Sequence, residues 1–254
     1  ARENAELLYE SSAYYKYIIM RMKGIAARTA WEVIKFYRSS EFRPYGFEIK
    51  IGSDGDIPVM KVMDDTGSMI AGVKGRIDRA DTAELDGARL VSVIDYKSSA
   101  KGLDVKLAED GITIQPLLYT SILCDNIKDA VPAAMVYMPM SDPIIEESDF
   151  DRKGIEAAVN SKMHPSGWIA DDEKIIAAYA ANTDKKMGSF MPSGSDSVVS
   201  RTELKRRIDI ANEKIRESAK GISGGLIKVN PYKAKGKHDA CEYCLYGGIC
   251  QYEK

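Results

Sequence analysis

The sequence predicts an α/β fold, a mixed sheet with an antiparallel meander flanked by helices, and three observations carry that reading. Apolar residues recur at helical spacing over residues 4–39. From Tyr45 the period changes to alternation and to short β-rich runs, and a run of strand, helix and strand follows between Leu90 and Tyr137. An antiparallel meander joined to a strand–helix–strand crossover requires a sheet with one parallel pairing.

In the first region Leu7, Leu8, Ala13, Ile18, Ile19, Met22, Ala26, Trp31, Ile34 and Phe36 recur at helical spacing, and Gly24 is placed to break the run in two. Phe47, Ile49 and Ile51 then alternate with polar residues, and Pro58–Met63, Met69–Arg79 and Leu90–Tyr96 read as strands between Asp/Gly turns. Residues 113–124 return to helical spacing through Ile114, Leu117, Leu118 and Ile122, and 133–139 read as a strand. Two further helices are expected at 171–181 and 200–220, with a loop at 191–197. The expected organisation is one domain over 1–254: N-terminal helices (1–40), a core (41–140), a helical insertion (141–224) and a basic cysteine tail (225–254). The chain begins Ala1-Arg2-Glu3, without Met, which suggests a piece of a longer protein.

Composition narrows the class. With 44% hydrophobic and 29% charged residues, 254 residues suffice for one sizeable core. Neither a membrane-length apolar run nor a basic-then-apolar leader is present, so the expectation is a cytoplasmic protein with no membrane association. The net charge of −2 lacks the basic excess of a stand-alone DNA-binding domain, so nucleic acid would have to be held by a local patch or with a partner's help.

The most informative segment is Gly75-Arg76-Ile77-Asp78-Arg79, followed after a turn region at 81–88 by Val93-Ile94-Asp95-Tyr96-Lys97-Ser98-Ser99. If the two strands pair, Asp78 and Asp95 project toward one point, and Lys97 shares a face with Asp95 by the period of two. Two hard carboxylates, with the main-chain carbonyl of Tyr96 as a further ligand, suit Mg²⁺ (or Mn²⁺) and metal-assisted phosphodiester hydrolysis, in which Lys97 would orient the attacking hydroxide. An Asp-x-Lys occurs by chance about once in a chain of this size, as a surface pair on a hairpin. Here Val91, Val93 and Ile94 make the approach to Asp95 a buried strand, where a carboxylate needs a cation. Gln115 and Tyr119 lie four apart on the next helix, hence on one face, where they could flank this site or form a polar pair on an exposed edge.

The order Gly-Arg-Ile-Asp-Arg, Ile-Asp-Tyr-Lys-Ser-Ser and Gln-x-x-x-Tyr resembles the RecB-type PD-(D/E)xK nucleases, and the cysteine tail narrows the likeness to the nuclease domain of the B subunit of AddAB-type helicase-nucleases. The similarity runs from Phe42-Arg43-Pro44 to Cys250. It implies a restriction-endonuclease-like core and an exonuclease that acts on DNA beside a helicase-nuclease partner subunit in double-strand-break repair. It further implies Asp78 and Asp95 as metal ligands, Lys97 as the catalytic lysine, and Gln115 and Tyr119 as the completion of the site. The upstream histidine that such nucleases often use as a ligand is missing, since the histidines are His164 and His238; Glu48 is the substitute acid that the sequence offers. Two other classes share these features: a non-cutting DNA-binding scaffold that has lost ligands, which the retention of Asp78, Asp95 and Lys97 disfavours, and a free-standing RecB-like exonuclease.

Cys241-x2-Cys244-x5-Cys250 places three thiols in one short stretch, a metal-binding pattern in a reduced protein. His238 could complete a zinc site, while Cys124 falls on the Gln115 helix and reads as a small buried apolar residue. The resemblance implies instead a 4Fe-4S cluster whose fourth cysteine lies upstream of this chain, leaving the cluster incomplete here. Lys233, Lys235 and Lys237 beside the cysteines, and Arg76 on the acidic hairpin, are the candidate DNA contacts. The basic residues of 205–216 fit a phosphate groove or a solvated helix face equally, being interleaved with Asp209 and Glu213.

Overall fold

The computed structural model describes residues 12–98, 102–141, 152–180, 196–232 and 244–250, with positions 143, 145, 191, 192, 240 and 241. Its elements are α1 (Ala13–Ser39), β1 (Arg43–Ile51), β2 (Met60–Met63), β3 (Met69–Val73), β4 (Gly75–Leu85), β5 (Ala88–Lys97), α2 (Val105–Glu109), α3 (Gln115–Asn126), β6 (Ala130–Pro139), α4 (Arg152–Lys162), β7 (Ser166–Ala170), α5 (Glu173–Tyr179), β8 (Val198–Val199), α6 (Arg201–Ser223) and α7 (Gly247–Cys250). Six strands form one mixed sheet in the order β1-β4-β5-β6-β7-β8, and β2 and β3 pair apart from it as a hairpin. The α/β class read from the sequence is therefore the observed one. Among the described residues no helix is long and apolar enough to cross a membrane.

The antiparallel meander is β1-β4-β5, and its tightest turn is Asp86-Gly87, closed by the pair Leu85↔Ala88. Both turn residues have positive φ, 50° and 81°, as a two-residue hairpin turn matched to strand twist demands. The sequence reading placed this turn over 81–88 and so cut both strands short. Asp81 and Thr82 read as loop residues, whereas in the structure Asp81 is fully buried in mid-strand. The run Met69–Arg79, read as one strand, is divided between β3 and β4. β1 also departs from simple alternation. The register shifts between Pro44 and Gly46, Glu48 has φ 50°, and Ile49 and Ile51 are buried while Phe47 is 58% exposed.

β5 pairs parallel with β6, and the crossover between them is carried by α2 and α3. α3 is buried from Pro116 to Leu123 because it lies between the sheet and α6; Asn212 of α6 donates to Ser121 at 3.0 Å. Pro116 is tolerated in its first turn, where no helical N–H partner is lost. The segment 141–224, read as a helical insertion, also supplies β7 and β8, which extend the main sheet. Five-residue and two-residue strands carry too little alternation to be read from sequence. The helices expected at 171–181 and 200–220 are α5 and α6, and the loop expected at 191–197 is described only at its ends.

α1 is continuous through Gly24, and its buried residues, Thr29, Phe36 and Ser39, fall in its second half. Phe36 packs on Tyr179 with ring centroids 5.0 Å apart, and Phe42 on the same ring at 5.3 Å, whereas Trp31, Ile34 and Met22 are exposed. Beneath this aromatic cluster lies a fully buried ion pair. Arg79 donates from Nε to Asp81 at 2.9 and 3.1 Å and from Nη2 to the same carboxylate, and from Nη1 to the Tyr96 hydroxyl at 3.2 Å. The Tyr37 hydroxyl donates to Asp81 at 3.3 Å, and the guanidinium stands 4.6 Å from the Tyr37 ring. Burial alone would pull the Arg79 pKa down, but the hydrogen bonds and charge of Asp81 outweigh it and raise it. The Tyr37 hydroxyl is pushed up by burial first and then by Asp81. The guanidinium charge therefore persists, held against Asp81.

Removing one partner leaves the other as an uncompensated buried charge. Asp81→Ala should therefore lower unfolding stability by about 3–5 kcal/mol, whereas Arg79→Met/Asp81→Leu should lose far less. Urea unfolding checks this: equal losses in the single and the double variant would show that the pair is not what holds this region.

Candidate active site

β4 and β5 are in register through Arg79↔Ile94, so the next position along the ladder sets Asp78 across from Asp95. Directly opposed residues of an antiparallel pair project from the same face. The Asp78 carboxylate accepts the main-chain N–H of Tyr96 at 3.0 Å, which fixes one of its oxygens against β5. Asp95 is 4% exposed and lies beside Tyr137 in the parallel β5–β6 ladder. Lys97 Nζ stands 2.5 Å from Asp95 Oδ2 and 4.9 Å from the centre of the Tyr137 ring. Burial, and then the negative charge of Asp95, push the Tyr137 hydroxyl up to about 12, so it stays protonated beside the carboxylate.

Tyr119 approaches the same strand from α3. Its hydroxyl accepts the Arg76 N–H at 3.3 Å and the Gln115 Nε2–H at 3.1 Å, leaving its own proton to donate elsewhere. This approach explains Gly75: a Cβ there would meet the Tyr119 hydroxyl oxygen at 2.8 Å. The structure thus brings Asp78, Asp95, Tyr96, Lys97, Gln115 and Tyr119 to one end of the β4–β5 hairpin. Glu48 sits across β1 from Asp78 by register but turns outward, pairing with Arg76 at 3.0 Å; both side chains are more than half exposed.

Metal-holding capacity is limited. Among the described residues no three His, Cys, Asp or Glu side chains come together in a way that could hold an ion. The hairpin therefore offers two carboxylates and a carbonyl, a donor set that suits a hard cation retaining several waters. In the tail, the Cys244 N–H donates to the Cys241 carbonyl at 3.4 Å, and Cys250 ends α7. Cys244 and Cys250 are exposed, and among the described residues the three thiols are part of no group that could hold a metal ion. His238, Lys233, Lys235 and Lys237 lie outside the described residues. Cys124 is half-buried on α3, and burial first, then the charge of Asp125, push its thiol up to about 12.

Sequence reasoning missed four residues that support this site: Tyr37, Arg79, Asp81 and Tyr137. Arg79 and Asp81 carried a readable signal, an arginine and an aspartate at strand period immediately beyond Asp78.

Comparison with known proteins places these residues in company. The model of the PD-(D/E)XK nuclease superfamily matches residues 1–251. The B subunit of the ATP-dependent helicase/deoxyribonuclease of Clostridium acetobutylicum is 30% identical over 97% of this chain and 22% of its own length. Proteins of the same name from Geobacillus thermodenitrificans and Alkaliphilus oremlandii are 30% and 26% identical, each over 96% of this chain and 22% of their own length. The chain thus spans less than a quarter of the curated relatives it matches.

The Gly75–Tyr119 contact can be tested directly. Gly75→Ala should destabilise the protein by about 1–3 kcal/mol through overpacking, and by clearly less in a Tyr119→Phe background, where the nearest atom is removed. Additive losses in thermal unfolding would mean that the two residues do not meet.

Proposed function

Because the chain belongs to the PD-(D/E)XK nuclease superfamily, we propose that its β4–β5 hairpin is the centre of a divalent-metal-dependent deoxyribonuclease, an exonuclease that works in the cytoplasm on DNA ends within a helicase-nuclease complex for recombinational repair. The observation that carries this reading is the meeting of Asp78, Asp95 and Lys97 at one strand end. The relatives are named as B subunits of a helicase/deoxyribonuclease, which supports a partner subunit and a DNA substrate.

Asp78, Asp95 and the Tyr96 carbonyl would hold Mg²⁺ or Mn²⁺. When bound, such an ion supplies Lewis-acid stabilisation of the phosphate and a more acidic water. The protein's own groups do the rest. Burial among Val93, Ile94 and Tyr137 keeps Asp95 in a low-dielectric wall, where its charge acts strongly. Lys97, tethered to Asp95 and lying near the Tyr137 ring, orients the attacking water and offsets charge that develops on the phosphate. Tyr119 and Gln115 form the rim on the α3 side, offering the Tyr119 O–H and the second Gln115 N–H to the substrate backbone. For the tail, Cys241, Cys244 and Cys250 would supply three of the four thiolates that a 4Fe-4S cluster needs, with the fourth from a longer form of the protein.

Two outcomes check the proposal. Asp78→Ala, Asp95→Ala and Lys97→Ala should each reduce Mg²⁺-dependent cleavage of single-stranded DNA by about 10²-fold or more with the fold intact; near-parental cleavage by any of them in a gel assay would refute the assigned site. Iron analysis of this chain should find less than one four-iron cluster per molecule, and a stoichiometric cluster would show that all its ligands are already present.

A further inference from the structure

Beside the hairpin lies a cleft of about 830 Å³, a volume that suits a nucleotide-sized ligand. Lys97, Gln115 and Tyr137 line it on the side of the candidate active site; Trp168 of β7, Arg207 of α6 and Lys106 of α2 also line it. By register Trp168 stands opposite Met135, two residues before Tyr137 on β6, which is about 7 Å along the sheet.

Arg207 is unusual among the basic residues of α6. The others are at least partly exposed and pair with carboxylates at the surface, Lys205 with Asp209 and Arg216 with Glu213 along the helix, Arg201 with Asp172 and Lys220 with Asp65 beyond it. Arg207 is 8% exposed, with its guanidinium 4.4 Å from the Trp168 ring centre. Its Nε donates to Glu203 at 2.7 Å, yet its Nη1, also buried, has no hydrogen-bond partner. Glu203 does not neutralise it fully, because the same carboxylate also takes Arg206 at 2.7 Å, and these two arginines hold its pKa down at about 2. A stacked, half-paired guanidinium in a cleft wall lacks an acceptor, and a phosphate oxygen is the acceptor its planar fork fits best.

We propose that Arg207 binds a backbone phosphate of the DNA strand being cut, a phosphate distinct from the scissile one, so that the strand runs through the cleft from Arg207 to Lys97. The assignment rests on the nuclease reading for the identity of the strand but on Arg207, Trp168 and the cleft for the site. Arg207 is then a positioning residue, holding the strand while the chemistry occurs at the hairpin.

The test is binding of a fluorescent single-stranded oligonucleotide in EDTA, where cleavage is off, across a series of salt concentrations. Arg207→Gln should weaken binding about tenfold for every sequence and lower the slope of log K against log salt by about 0.7, the value of one lost phosphate contact on a single strand. Arg207→Lys, which keeps the charge and loses the fork, should retain that slope. Unchanged affinity and slope in a folded Arg207→Gln would overturn the inference. Should that variant fail to fold, the parental chain can be offered oligonucleotides with one neutral methylphosphonate linkage; the penalty at one non-scissile position should shrink in Arg207→Lys, and equal penalties in both proteins would overturn it. Cleavage by the parental chain with binding unaffected in Arg207→Gln would remove this site and leave the nuclease reading. Weakened binding in Arg207→Gln, with a parental chain that cuts nothing in Mg²⁺ or Mn²⁺, would do the reverse. A parental chain that binds no oligonucleotide would overturn the site as well.

Discussion

A guanidinium buried beyond the reach of water must find acceptors for its N–H groups, and this constraint on Arg79 organises the end of the sheet that carries the candidate site. Its acceptors come from β4 itself, through Asp81, and from β5, through the Tyr96 hydroxyl; Tyr37 of α1 closes the cage over both. A slip of one residue between β4 and β5 would turn Arg79 and Tyr96 to opposite faces and strand a buried charge. The cost of such a slip, several kcal/mol, fixes the register, and the register in turn sets Asp78 across from Asp95.

The two faces of the hairpin thus divide the labour. Arg79, Asp81 and Tyr96 hold one side by fully matched charge and hydrogen bonding, while Asp78, Asp95 and Lys97 gather on the other the carboxylates and the ammonium that an ion and a phosphate would use. α3 serves the second face twice. Its apolar surface packs on the sheet, and Gln115 and Tyr119, one turn apart at its start, deliver polar groups to the strand end. Gly75 is the concession that lets Tyr119 come so close.

Much of this was legible in the residues. The helical period of 113–124, the apolar approach to Asp95 and the Asp-x-Lys spacing marked α3, β5 and the candidate catalytic trio, because each reflects a local rule of period two or 3.6. What escaped were features decided by tertiary pairing. Asp81 reads as a turn residue unless Arg79 is known to bury with it, and Phe47 reads as core unless the positive φ of Glu48 is known. β7 and β8 are too short to show a pattern, yet β7 carries Trp168, which lines the cleft. Glu48, the further acid that the sequence offers, has its side chain engaged with Arg76.

The central claim is that the ladder position shared by Asp78 and Asp95 is a cation site. Anomalous diffraction from crystals grown with Mn²⁺ measures this directly. The account predicts a single strong peak between the two carboxylates, within coordination distance of the Tyr96 carbonyl. A peak elsewhere, or none between these residues at millimolar Mn²⁺, would contradict it.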